Sequence, residues 1–241
     1  MRLSMRVLLI LMIGLSFLLG CTTSGVPSTR QVPPTAAATV VPLSAVDLPE
    51  PRLSGLVSLE ETLAERRSIR EYSQTPLTME QVSQLLWAAQ GITSAGGGRT
   101  APSAGALYPL EIYLIAGNVE DLAPGIYKYY PQGHKLVRLQ DRDVRRELSA
   151  AALGQAPVNA GAIDLVISAV YGRTTQKYGE RGIRYAQIEV GHAAQNVVLQ
   201  ATSLNLGAVT IGAFDDNLVE AVIGLPENES ALYIIPIGGK I

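Results

Sequence analysis

The chain has 241 residues, a formal net charge of -2 and a single cysteine, so an intrachain disulfide is excluded. Charged residues make up only 17% and no basic tract occurs beyond one short arginine cluster, which argues against a nucleic-acid partner. At 47% hydrophobic residues the chain has ample material for a buried core.

Residues 1–6 carry Arg2 and Arg6 and no acid, residues 7–19 form a short apolar run, and Leu18-Leu19-Gly20-Cys21 follows. The run falls short of the ~20 apolar residues of a membrane span. It reads as a lipoprotein signal over residues 1–21 with Cys21 as the lipid acceptor; an uncleaved anchor or a fortuitous apolar start is the other reading, because Leu19 stands where a smaller residue is commoner. Residues 22–52 are rich in Thr, Ser, Pro, Ala and Val and hold Pro27, Pro33, Pro34, Pro42, Pro49 and Pro51. Each proline removes an amide donor and fixes a dihedral, so this segment is expected to be an extended tether. Residues 53–241 are then expected to form one folded domain.

Within that body Ser58-x-x-Glu61 and Thr78-x-x-Gln81 are capping boxes, each opening an apolar helical period: Leu59 and Leu63 in the first, Val82, Leu85, Leu86 and Ala89 in the second. Residues 110–116 read as a strand, and residues 125–130 with 135–139 as a hairpin across 131–134. Asp141 is expected to cap a short helix reaching Leu153. Residues 164–170 read as a second buried strand, 184–204 as a long helix and 232–237 as a final strand. Helices and strands mix without a βαβ repeat, which predicts an α+β sandwich with a mostly antiparallel sheet and packed helices.

Between the two capped helices, Glu65 to Tyr72 reads E-R-R-S-I-R-E-Y. Guanidinium groups bind phosphate through planar, charge-assisted forks, so Arg66, Ser68 and Arg70 can converge on one phosphate if the chain leaves the helix there. A solvated helix end is the alternative. Gly96-Gly97-Gly98 loosely matches a dinucleotide-binding loop, but no strand leads into it, so a flexible loop or a plain turn is expected.

Five segments in order, R-R-S-I-R at 66–70, P-S-A-G-A-L-Y-P at 102–109, K-Y-G-E-R-G-I-R-Y at 177–185, E-V-G-H-A-A-Q-N at 189–196 and V-T-I-G-A-F-D at 209–215, resemble the nitroreductase-like flavoproteins. The closest likeness is to their azoline-oxidase (SagB-type) branch, over about residues 58–240. The resemblance implies a nitroreductase-like fold, noncovalently bound FMN and a homodimer that completes each flavin site. It implies that Arg66, Ser68 and Arg70 reach the phosphate, ribityl chain and polar ring edge, and that Pro102, Ser103, Ala104 and Gly105 run beside the isoalloxazine. Thr210, Ile211 and Gly212 would lie against the other face, with Gly212 the donor to N5. The better-known nitroreductases carry a proline and an acid in that stretch. Lys240 is a further phosphate contact, or a frayed terminal charge.

In azoline oxidases a Lys-Tyr pair removes the proton while flavin takes hydride, which makes Lys177 and Tyr178 the catalytic candidates. Arg173, Lys177, Arg181 and Arg184 also follow near-helical spacing, so a solvated basic face is the competing reading. Glu189 and His192 stand at i, i+3 without a third metal ligand, so no metal is expected and His192 is expected to be a buried, hydrogen-bonded residue; His134 lacks an evident partner. The small residues Gly191, Ala193 and Ala194 suit either a dimer interface or close core packing.

The expected activity is an FMN-dependent oxidoreductase moving hydride between flavin and a small or peptidic substrate, lipid-anchored outside the cytoplasm of a bacterial cell. Alternatives are an azoline-to-azole peptide oxidase and a flavin-binding scaffold lipoprotein without turnover. The signal lacks an adjacent arginine pair, so export unfolded and later flavin capture are expected, with a membrane quinone or surface protein as electron partner in place of NAD(P)H.

Overall fold

A computed structural model describes residues 44–241; the signal, Cys21 and most of the tether lie outside the described residues. Seven strands form one sheet: β1 (Ser44–Asp47), β2 (Leu110–Ala116), β3 (Gly125–Tyr130), β4 (Lys135–Gln140), β5 (Ile163–Ala169), β6 (Leu206–Ala208) and β7 (Ser230–Gly239). They lie in the order β1-β4-β3-β2-β5-β7-β6, every neighbouring pair antiparallel. Among the described residues seven α-helices accompany them: α1 (Leu59–Glu65), α2 (Met79–Gln90), α3 (Arg145–Ala151), α4 (Ala156–Ala160), α5 (Gly172–Tyr178), α6 (Arg181–Ser203) and α7 (Asp216–Ile223). The expected α+β sandwich is what forms.

Strand alternation makes the sandwich. On β2, Ile112 and Leu114 face one apolar cluster with Leu85, Leu86, Ala193 and Val197 of α2 and α6, while Tyr113 and Ile115 face another with Leu148, Val158, Val219 and Ile223 of α3, α4 and α7. β5 is buried along its whole length, as expected of a strand covered on both faces. Both capping boxes form: Ser58 Oγ accepts from Glu61 N at 3.1 Å and Thr78 Oγ1 from Gln81 N at 3.3 Å, with Glu61 and Gln81 reaching back to the cap amides.

Several expectations need correction. The folded body begins before Leu53, because Ser44–Asp47 pairs with β4 at the sheet edge. Its next residues are fastened too: Leu48 N donates to His134 O at 3.2 Å, Ser83 Oγ donates to Pro49 O, and Arg52 N donates to Gln84 Oε1 at 2.8 Å. An edge strand tolerates the surrounding prolines because one side of it needs no ladder. Asp141 caps nothing; Asp143 accepts from Arg145 N at 3.1 Å where α3 begins. Leu59 and Leu63 are exposed, and Thr62 is the buried residue of α1. The expected burial of the histidines is reversed. His192 is exposed, while His134 lies within 2.7 Å of Ser83 Oγ and 2.9 Å of Tyr129 Oη. No helix among the described residues is long and apolar enough to cross a membrane.

On β5, Asp164 is fully buried and neither carboxylate oxygen has a partner among the described residues. Burial pushes its carboxyl well above the usual range, and the nearby Arg145 guanidinium opposes this only in part. A raised carboxyl is proton-bound in the fold and ionised in the unfolded chain, so native stability falls as pH rises from about 4 through the folded value. Asp164→Asn removes this dependence. Its melting temperature relative to the native chain should therefore climb between pH 4 and pH 8, by up to about 1.4 kcal/mol of stability per pH unit; a pH-independent difference in thermal melts would refute a buried protonated Asp164.

Candidate active site

The arginine cluster leaves α1 as extended chain. Arg66, the C-cap, has φ -54 and ψ 124; Ser68 then forms a parallel bridge with Ala208, and Ile69 N donates to Ala208 O at 3.0 Å. Side chains alternate in extended backbone. Ile69 turns inward against Gly207, where an added Cβ would come within 2.6 Å of Ile69 Cγ2. Arg66, Ser68 and Arg70 consequently share the opposite side. Among the described residues, neither arginine side chain donates a hydrogen bond or enters an ion pair.

The chain terminus joins this group. Tyr72 packs on Gly238, and Ser73 N donates to Gly239 O at 2.8 Å, which places Lys240 beside the cluster's exit. Thr210, Ile211 and Gly212 continue from β6 along β7: Val209 N donates to Pro236 O at 3.4 Å and Ile211 bridges Ile234. Gly212 is exposed and lies against Tyr233. Three cations and a hydroxyl thus gather where β6 and β7 end, and the exposed Gly212 backbone lies farther back along the same edge, opposite Tyr233. Such a cradle fits a phosphate-bearing group.

A second group forms at the loop before β2. Gly105, Ala106 and Tyr108 all have positive φ, at 64°, 55° and 45°. For non-glycine residues that backbone is strained by roughly 1–3 kcal/mol each and needs support. Ser103 supplies it, accepting from Tyr108 N through Oγ at 2.9 Å and from Ala106 N through its carbonyl at 3.0 Å. Pro102 is exposed and Ala104 half-buried. Over this loop stand the two catalytic candidates: a Cβ on Gly105 would meet Tyr178 Oη at 2.6 Å and Lys177 Nζ at 3.0 Å. Tyr178 also packs edge-on against Tyr185, centroids 5.2 Å apart.

The single basic face expected from spacing does not exist, because α5 stops at Tyr178, Gly179 takes φ +57, and α6 starts anew at Arg181. Arg173 is instead paired with Glu111 and donates to Tyr108 O at 2.9 Å. Lys177 is exposed, so one chain alone does not desolvate it.

Glu189 is a residue whose part in the site spacing did not disclose. It is 2% exposed on α6, both carboxylate oxygens lack partners among the described residues, and it lies by Ser103 and Arg99. Burial pushes its carboxyl up to about 7, against the pull of Ser103 and Arg99. The glutamate's place in a helix stripe with Ala186, Val190 and Ala193 was the available signal: an acid on an apolar face. The described residues hold no cluster of three metal-ligating side chains.

The phosphate-type cradle sits by the C-terminal end of α6, where α1 packs, and the strained loop sits against its N-terminal half. No hydrogen bond joins the two groups among the described residues. These features describe a three-layer sandwich that gathers an anion cradle and a hydroxyl-lysine pair at separate places along one helix. The chain belongs to the Nitroreductase family, whose model matches residues 63–239.

A nitroreductase-family protein of Methanocaldococcus jannaschii is 48% identical over 77% of this chain and 92% of its own length. The crystal structure of a nitroreductase-family protein of Ralstonia eutropha superposes with a TM-score of 0.71 at 33% identity, covering 82% of this chain and 90% of that one. More distant relatives are the NADPH-flavin oxidoreductase of Vibrio harveyi, 27% identical over 74% of this chain and 64% of that protein, and a microcin-processing protein of Escherichia coli, 27% identical over 59% and 54%. This chain therefore spans about half to two thirds of those two proteins.

Gly105→Ala should cost about 1–3 kcal/mol in thermal or chemical melts, from left-handed backbone and from displacing Tyr178. Adding Tyr178→Ala should recover the displacement part and leave the backbone part. Full additivity of the two substitutions would show that Tyr178 does not rest on Gly105.

Proposed function

We propose that this protein is an FMN-dependent oxidoreductase that moves hydride between flavin and a small or peptidic substrate. The observation that carries the reading is the set of side chains without partners among the described residues at the sheet end, Arg66, Arg70 and Lys240 around Ser68, with the exposed Gly212 backbone farther along the same edge. Bound FMN supplies the hydride-accepting and hydride-donating ring. Arg66, Ser68, Arg70 and Lys240 hold its phosphate end, and the positive charge favours an electron-rich ring. Gly212 N donates toward the ring edge. Pro102, Ser103, Ala104 and Gly105 provide a flat backbone wall for it.

The two groups of residues lie apart in one chain, which favours a site completed by a second copy. α6 offers the surface: Ile183, Gln187, Ile188, Gly191, His192 and Gln195 form one exposed stripe at helical spacing. Nothing lies within 4 Å of a Cβ added at Gly191. Leu53, Leu56, Leu59 and Leu63 add exposed apolar area on the same chain.

A peptide azoline oxidation of the SagB type is the second reading, favoured by Lys177 Nζ and Tyr178 Oη together over Gly105. Lys177 removes a proton there and Tyr178 orients it, once substrate and a partner copy exclude water. Lipid attachment at Cys21, outside the cytoplasm, belongs to the proposal, with flavin captured after export and electrons exchanged with a membrane quinone or a surface protein.

Purified protein should be yellow, bleach with dithionite under anaerobic conditions, and lose its flavin absorbance in the Arg66→Ala, Arg70→Ala double variant. A colourless protein that stays so after incubation with FMN would overturn the reading. Ile188→Asp, at an exposed position, should leave the fold intact while shifting sedimentation toward monomer and lowering flavin content at least about tenfold. Unchanged sedimentation and colour would remove the α6 stripe from the proposed interface.

A further inference from the structure

The glycine segment after α2 is a tight turn that serves a neighbouring arginine. Thr93 N donates to Gly98 O at 2.7 Å, Gly97 takes φ +80, and Ile92 bridges Arg99. Arg99 is thereby folded over the Tyr108 ring, 4.4 Å from guanidinium carbon to ring centroid. Its Nη1 donates to Gln90 Oε1 at 3.0 Å, the one acceptor its five N–H groups find among the described residues. Burial weakens the hold of this half-buried guanidinium on its proton, and no carboxylate forms an ion pair with it among the described residues.

Gln90 is 0% exposed, and its Nε2 has no partner among the described residues. Its amide orientation is determined chemically: a guanidinium only donates, so Oε1 must face Arg99 and the NH2 must face elsewhere. Gln90, Arg99 and Arg173 line one cavity of about 380 Å³. That volume exceeds the ~30 Å³ share of a single water many times over and falls in the ~300–1,000 Å³ range of small-molecule sites.

Among the charged groups of the wall Arg99 and Arg173 stand against Glu111, and Glu189, whose carboxyl burial pushes up to about 7, lies by Arg99 outside the lining. Glu111 is its one carboxylate, already engaged by Arg173 and by Lys128 at 3.2 Å, and Lys128 also holds Glu229 at 3.0 Å. Buried donors left without acceptors are costly, so a ligand here must bring acceptor atoms. The planar guanidinium presents paired N–H groups that match the two oxygens of a carboxylate. Glu111 disfavours a dianion. Leu107, Ile112, Tyr129 and Pro131 supply apolar surface for a hydrocarbon body.

We propose that this cavity binds a small organic monocarboxylate, its oxygens held by the N–H groups of Arg99 that Gln90 leaves free, its apolar body against Leu107 and Tyr129, with Arg173 at the rim. The site goes beyond the flavin reading and stands without it. Its occupant would rest against Tyr108, the end of the strained loop that begins at Ser103, and so would stiffen that loop from behind.

The test is isothermal titration calorimetry on the full-length protein, as purified and after removal of any flavin, with hexanoate, hexanamide and inorganic phosphate as probes. Hexanoate should bind saturably in both forms and hexanamide should not. Arg99→Gln should weaken hexanoate binding at least about tenfold with far-UV circular dichroism unchanged. Should Arg99→Gln fail to fold, the more exposed Arg173→Gln decides, with an expected weakening of about threefold or more. The proposal is overturned by absence of hexanoate binding, by equal binding of hexanamide, by preference for phosphate, or by unchanged affinity in the deciding variant. Binding lost on flavin removal alone would place hexanoate at the flavin and overturn the cavity assignment too. A colourless protein that still binds hexanoate would uphold it while the flavin reading fails.

Discussion

The close seating of α6 on the sheet is the constraint from which the rest of the structure follows. Ala186, Ala193, Ala194 and Ala201 make up much of its buried stripe, and side chains this small let the helix approach β2, β5 and β7 closely. The helix spans 23 residues, roughly 34 Å at 1.5 Å each. Its N-terminal half carries Tyr185 and Glu189 to the strained loop. Its C-terminal end delivers the chain into β6, whose pairing with β7 creates the groove that receives Ser68. Larger residues on that stripe would lift the helix and move both groups at once, so the geometry of the site is a consequence of core packing.

Polar groups inside this core fall into two kinds. Glu229 accepts from Tyr113 Oη and Ser168 Oγ, each at 2.8 Å, and from Lys128 Nζ at 3.0 Å, so its burial is compensated by three donors. Asp164 and Glu189 have none among the described residues, and both are pushed toward the protonated form by burial. Their positions separate their meaning. Asp164 lies near the start of β5, opposite Pro236 and enclosed by the sheet and its covering helices, whereas Glu189 stands beside Ser103 and Arg99, where a ligand or a partner copy would change its surroundings. A proton held near neutrality at that place responds to whatever arrives.

Much of this was readable in the sequence wherever local chemistry and tertiary contacts agree. The two capping boxes, the apolar run of β2 and the β3–β4 hairpin were evident because each is specified by its own residues. β1 and β6 were not, since four and three residues carry too little pattern, and their pairing depends on distant partners. Leu59 and Leu63 show the converse: their spacing is that of a buried face, yet α1 turns Thr62 inward and leaves both leucines exposed among the described residues. Spacing also joined Lys177 to Arg181 as one basic face, because it passes over Gly179, a residue type that commonly ends helices at positive φ and here divides α5 from α6. The histidines were misassigned for a similar reason. His134 acquires its partners from Ser83, Tyr129 and Pro49, and two of these lie far away in sequence.

The arrangement of the cradle bears on when a cofactor could enter. Ser68 and Arg70 are exposed, Arg66 and Lys240 half-buried, and all are positioned by backbone pairing between residues 68–73 and the ends of β6 and β7. That pairing is made by the chain's own contacts: Ile69 fills the space above Gly207, and Tyr72 donates from its hydroxyl to Pro236 O at 3.1 Å. A cradle positioned by the chain's own backbone pairing could be filled after folding, the order that the proposed export as an unfolded chain would demand. The strained loop is likewise preformed, by Ser103. What one chain leaves open is the space between the two groups, and a second copy seated on the α6 stripe would close it. Folding, pairing of copies and loading of the cofactor can then proceed in that sequence, each step using surfaces that the step before has made.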